Sequence, residues 1–161
     1  MKSKKVKEDP YAGRKSIYTF FLYVGIFIIL MAGYSYGATF FKAPKEDVLK
    51  VGLGAFGILI GLTSIAFDLL GSVKADNVNS IQGAAQRLFL GAIIVLLMVL
   101  TTYINRSIVE DGIENFNDHF VKTLRLLASG FLGFAAVLTS LAMNTIGKYL
   151  IHTHFDRLEN D

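Results

Sequence analysis

Residues 54–71 read GAFGILIGLTSIAFDLLG, and residues 130–147 read GFLGFAAVLTSLAMNTIG. Across both stretches the one formally charged side chain is Asp68. A helix needs about 20 apolar residues to cross the roughly 30 Å hydrocarbon core of a bilayer. Both runs reach that length once their apolar flanks are included. Backbone polar groups in lipid must be satisfied within the segment itself, so runs of this kind are read as helices.

Working outward, two further apolar blocks complete a set of four spans, at 17–38, 48–71, 85–105 and 124–150. The chain has 161 residues, of which 53% are hydrophobic and 18% charged, with a mean hydropathy of +0.49. A soluble domain scatters its apolar residues at helical or strand period rather than gathering them in four blocks. The blocks leave no room for a separate soluble domain, which excludes most soluble enzyme classes and sequence-specific DNA binders. The expected fold is an all-α integral membrane protein. The first block follows a basic stretch, but it is longer than the core of a cleaved signal and is read as a retained span.

Charge sets the expected orientation. Six of the sixteen basic residues fall in the first fifteen positions: Lys2, Lys4, Lys5, Lys7, Arg14 and Lys15. Placing the amino terminus inside puts ten basic residues on the inner side and six on the outer side. Both termini are therefore expected in the cytoplasm of a bacterial inner membrane. The sequence pI of about 9.1 is then a topology signal and a contact for anionic lipid headgroups, with no nucleic acid as partner.

The two quoted stretches also match each other. At an offset of 76 they agree at seven of eighteen positions, including Gly54 with Gly130, Gly57 with Gly133, Thr63 with Thr139 and Ser64 with Ser140. The reading is a duplication: two tandem helical hairpins related by a pseudo-twofold axis along the membrane normal. A basic tail (1–16) precedes the first hairpin (17–78), and the second (79–151) is followed by a cytoplasmic tail (152–161). Val109, Ile113, Phe116 and Phe120 recur at spacings of 4, 3 and 4, which predicts a short amphipathic helix on the outer surface near 106–120. Glu110, Asp111, Glu114 and Asp118 lie off that stripe as a candidate acidic partner surface.

Apolar surface gives helices little reason to associate in lipid, so small residues and interhelical hydrogen bonds matter more. Gly54, Gly57, Gly61 and Ser64 form one narrow row, and Gly130, Gly133 and Ser140 form its counterpart. The second and fourth spans are accordingly expected to be inner helices facing each other across this seam, with the bulkier first and third facing lipid. Asp68 is the acid closest to a span interior, and its counterpart in the repeat is Asn144. Arg87, at similar depth across the turn, is its expected ion-pair partner, with an ion site as the sharper alternative.

Several motifs match only in letters. Gly52-Leu-Gly54-Ala-Phe-Gly57 is a literal G-x-G-x-x-G, but it lies inside an apolar helix, where no pyrophosphate can reach it. Asn105-Arg106-Ser107 is a glycosylation sequon that abuts a span. His152 and His154 are two ligands on a terminal segment, too few for a metal site, and the absence of cysteine excludes thiolate chemistry. No nucleophile, base and orienting group can be assembled, so no catalysis, cofactor or metal is expected. The expected function is a non-catalytic accessory, anchoring or assembly subunit of a larger membrane complex, associating with other membrane subunits or with itself. The alternative is a small transporter or oligomeric pore.

Overall fold

A computed structural model describes residues 10–73, 75–110 and 118–160, and within them all side chains except those of 29–39, 75 and 160. Four helices account for nearly all of it: α1 (Ala12–Phe40), α2 (Lys45–Leu70), α3 (Val78–Glu110) and α4 (Asp118–Asn160), with one 3₁₀ turn, Ala75–Asn77, ahead of α3. Three of them, α2, α3 and α4, are long and apolar enough to cross a membrane.

The helix ends follow from local chemistry. Pro44 has no N–H to lose and sits at the start of α2, where its carbonyl accepts the Asp47 and Val48 N–H groups at 3.0 Å each. Glu46 and Asp47 place negative charge in the first turn, facing the positive end of the helix dipole. At the far end the Gly71 N–H donates to the Asp68 carbonyl and the Ser72 N–H to the Leu69 carbonyl. α4 is 43 residues long, roughly 64 Å at 1.5 Å per residue, about twice the thickness of a 30 Å hydrocarbon core. The stretch after residue 151, expected as a tail, continues α4 as helix through Asn160.

α3 is the centre of the packing. It touches both α2 and α4, and the described contacts of α1 fall on α4. Half of α3's apolar window is buried inside the chain, against 17% for α2 and 22% for α4. The buried positions of α3 recur as pairs at helical spacing, through Ala84 and Ala85, Ala92, Ile94 and Val95, and Met98 and Val99. A row two residues wide is what a helix needs when it is flanked on two sides. Its uncovered side carries Phe89, Ile93, Leu97, Leu100 and Ile104, each more than a third exposed. Large apolar side chains exposed along every helix are what a lipid-facing surface requires and water does not tolerate.

This arrangement corrects two expectations. α2 and α4 both pack along the buried row of α3 and scarcely touch each other, so they do not face one another across a glycine seam. A Cβ added at Gly54, Gly57, Gly61, Gly130 or Gly133 would meet nothing within 4 Å. The third span, expected towards lipid for its bulk, is instead the most buried: much of its bulk lies on the uncovered side, and the small Ala84, Ala85, Gly91 and Ala92 of its buried row let neighbours approach closely. The glycines at close approaches are others. A Cβ on Gly52 would collide with Val99, one on Gly147 would come within 2.6 Å of Leu22, and one on Gly91 would lie 3.4 Å from Thr139 Oγ1.

The equivalent rows of the two matched stretches nonetheless behave alike. Gly52, Leu59 and Ala66 of α2 are buried, as are their counterparts Ala128, Ala135 and Ala142 of α4. Gly54, Gly57 and Gly61 are exposed, as are Gly130, Gly133 and Val137. Ser140 departs from Ser64, being buried where Ser64 is exposed.

Candidate functional site

Three pieces of chain meet at one end of the molecule: the first turns of α1, the α2–α3 connection and the last four turns of α4. The α1 contact is aromatic and ionic. Phe155 of α4, only 3% exposed, is covered by the rings of Tyr11 and Tyr18 at 5.8 and 5.4 Å between centroids. Lys15 Nζ lies 3.1 Å from Asp156 Oδ1, and the Tyr11 hydroxyl donates to the Leu158 carbonyl at 3.4 Å. Lys148 Nζ stands over the Tyr23 ring at 5.3 Å from its centroid. These contacts hold the basic start of α1 against the carbonyl end of α4, where positive charge offsets the helix dipole.

Beside this junction, between α4 and the start of α3, lies a cavity of about 770 Å³. One wall is the flank of α4, where Asn144, Lys148, His152 and Asp156 follow one another every four residues. A second such row, Thr145, Tyr149, Thr153 and Arg157, runs alongside it. Residues four apart stack on one helix face, so the helix presents a polar strip over its last four turns. The other wall is Ser72 of the connection, Asn77 of the 3₁₀ turn and Ser80 of the first turn of α3, with Ile81 as the sole apolar lining residue. The strip is visible in the sequence as a polar period-four pattern at the end of the last span. Reading that region as span followed by tail hid it, because the pattern straddles the boundary.

No family model, curated protein or solved structure matches this chain. The chemistry of the cavity therefore rests on its own residues. Lys148 and Arg157 bring two cations, and neither has an ion pair among the described residues. The one lining carboxylate, Asp156, is held by Lys15. Asn144 lines the cavity with its side-chain oxygen buried and without a partner, and the buried Ser140 hydroxyl one turn away is likewise unpartnered. Buried polar atoms are nearly always hydrogen-bonded, so such groups call for a ligand or water.

The structure separates the other candidates. Asp68 and Arg87 are both exposed and form no ion pair among the described residues, and Asn144 belongs to α4, which scarcely touches α2. The expected outer helix near 106–120 is divided: residues 106–110 continue α3, 118–120 begin α4, and 111–117, with Asp111 and Glu114, lie outside the described residues. Glu110 binds Arg106 at 2.6 Å as an i,i+4 pair, and Asp118 is exposed. Of the basic tail, Arg14 and Lys15 belong to the start of α1, while Lys2, Lys4, Lys5 and Lys7 lie outside the described residues.

At the opposite end, Asn105 fastens α3 to α4. It is 2% exposed, its Nδ2 donates to the Val121 carbonyl at 2.8 Å, and Arg125 Nε donates to its Oδ1 at 3.5 Å. The amide of the sequon is thus spent inside the helix pair. Within α2 and α3, Thr63 and Thr102 donate to carbonyls of their own helices, Leu59 at 2.7 Å and Met98 at 2.8 Å. Gly130 opens onto a shallow apolar groove of about 490 Å³ along α4.

Proposed function

We propose that this chain is a non-catalytic, multi-pass membrane subunit that helps to assemble or anchor a larger membrane complex. The observation that carries the reading is the open side of α2. Among the described residues that helix packs mainly on α3, and its opposite side bears Gly54, Gly57 and Gly61 with free space over each. A row of small residues lets another helix approach closely in lipid. Among the described residues, no helix of the chain itself fills that place. The matching side of α4, at Gly130 and Gly133, is open in the same way.

The proposal includes α1 as a fourth span, both termini in the cytoplasm and a bacterial inner membrane as the site. Lys15, Lys148 and Arg157 gathered at one end support that orientation, since basic residues are retained on the cytoplasmic side. It also includes the duplication, supported by the equivalent buried and exposed rows of α2 and α4. The duplication joins helix patterns rather than a strict twofold pair: a twofold axis would turn one of the two rows towards α1, and both rest on α3.

The test is extraction from the native membrane in mild detergent, followed by measurement of the mass and composition of the particle. Co-purification of other polypeptides, lost in Gly57→Leu or Gly133→Leu while the protomer stays folded, supports the reading. A particle made only of this chain overturns it in favour of the transport alternative, which liposome flux would then decide. The hydroxyls of Thr63 and Thr102 are already bonded within their helices, which weighs against a polar path through a single protomer.

A further inference from the structure

The cavity at the terminal end is large enough for a small ligand, since such sites commonly span about 300–1,000 Å³. Its charge is one-sided. Lys148 and Arg157 face it without a carboxylate of their own, and Asp156 is matched by Lys15. Lys148 rests over the Tyr23 ring, a contact that fixes the ammonium without removing its hydrogen-bond donors. The start of α3 adds its own field. Ser80 lies in the first turn of a 33-residue helix, whose positive dipole end is directed to this side behind the 3₁₀ turn that carries Asp76. The Ser80 hydroxyl and the His152 imidazole add further donors. The buried, unpartnered oxygen of Asn144 supplies an acceptor that no described residue uses.

Two cations, a helix start and several hydroxyls suit a tetrahedral oxyanion. The acceptor on Asn144 suits a hydroxyl attached to it. We propose that this cavity binds the phosphate group of a hydroxyl-bearing phosphate monoester or diester, with Lys148 and Arg157 neutralising the charge and Asn144 accepting from the ligand hydroxyl. Two sources share that chemistry: the glycerophosphate headgroup of an anionic phospholipid, and a free phosphorylated solute. The site is distinct from the basic amino-terminal stretch, since its cations come from α4. It does not depend on the subunit reading above, and either can fail alone.

The experiment uses the full-length protein, delipidated in dodecyl maltoside, and measures retained adducts by native mass spectrometry. The probes are phosphatidylglycerol, phosphatidylcholine and glycerol phosphate. Phosphatidylglycerol is expected to bind in preference to phosphatidylcholine, and Lys148→Gln and Arg157→Gln each to weaken it about tenfold or more. Arg87→Gln, at the same end but outside the cavity, is expected to leave binding unchanged. Ser80→Phe, which fills the cavity and keeps both cations, is expected to abolish it. Glycerol phosphate binding with the same dependence would assign a soluble ligand, and binding of phosphatidylglycerol alone a lipid headgroup; both support the proposal. Arg157 is exposed, so its variant stays informative if Lys148→Gln fails to fold. No binding of either anionic probe, equal binding of phosphatidylcholine, or equal affinity in Arg157→Gln and Ser80→Phe overturns it.

Discussion

Gly52→Ala tests the packing centre with a single methyl group. The added Cβ would overlap Val99 Cγ2 and stand 2.9 and 3.1 Å from Val99 Cγ1 and Cβ. Carbon atoms rest at about 3.5–4.0 Å. Val99 is 1% exposed and β-branched, so turning χ1 only exchanges one methyl for the other. Relief has to come from moving α2 away from α3 by more than about 1 Å, which forfeits about half or more of each contact along the interface. Overpacking of this kind costs about 1–3 kcal/mol. Alanine's better helix propensity returns at most about 1 kcal/mol, and less in lipid, where the separated helix is already formed. The expected net loss is about 1–2 kcal/mol. It is read by titrating the protein from dodecyl maltoside into sodium dodecyl sulfate and following near-ultraviolet circular dichroism. Val99→Ala removes the colliding methyls, so when combined with Gly52→Ala it should recover stability, with a coupling of at least about 1 kcal/mol. Gly57→Ala, with open space over its Cα, should cost nothing in the same assay. Equal losses for the Gly52 and Gly57 variants, or additivity of the Gly52 and Val99 changes, would refute the packing argument.

Other expectations follow from single contacts. Asn105→Ala should lower stability by about 1–3 kcal/mol in the same titration, because it strands polar groups of the α3–α4 pair; the native Asn105 should also stay unglycosylated in microsomal translation, where a glycan-sized mass shift would contradict its burial. Phe155→Ala should cost about 3–5 kcal/mol and speed tryptic cleavage at Arg14 and Lys15, since it removes the ring that Tyr11 and Tyr18 cover; an unchanged cleavage rate would mean α1 is held elsewhere. Asp156→Asn should cost under about 1 kcal/mol, its side chain being 60% exposed. Asp68→Asn and Arg87→Gln should be additive within about 0.5 kcal/mol, and a larger coupling would restore the ion pair expected from their spacing.

The helices were legible because hydrophobic length is a one-dimensional property: the runs around 54–71 and 130–147 need no knowledge of neighbours to be read as spans. Which side of each helix is inside was not, because every side of a helix in lipid is apolar. Gly57 and Gly133 have the composition of a seam, and Gly52 and Gly91 have the same composition, yet only the second pair lies under Val99 and Thr139. The difference is set by the neighbour across the interface, which the local pattern does not encode. Asp68 and Arg87 fail for a related reason. Similar depth places two side chains on one level, but not on the same azimuth, and an ion pair needs both. The polar strip of α4 is the opposite case. Asn144, Lys148, His152 and Asp156 carry a period of four that only a continuing helix makes meaningful. Once the helix is extended to Asn160, the strip must face either water or a wall, and the start of α3 supplies the wall. A polar period that runs across the end of an apolar span is therefore evidence that the helix outlasts the bilayer, and that its extension has a partner.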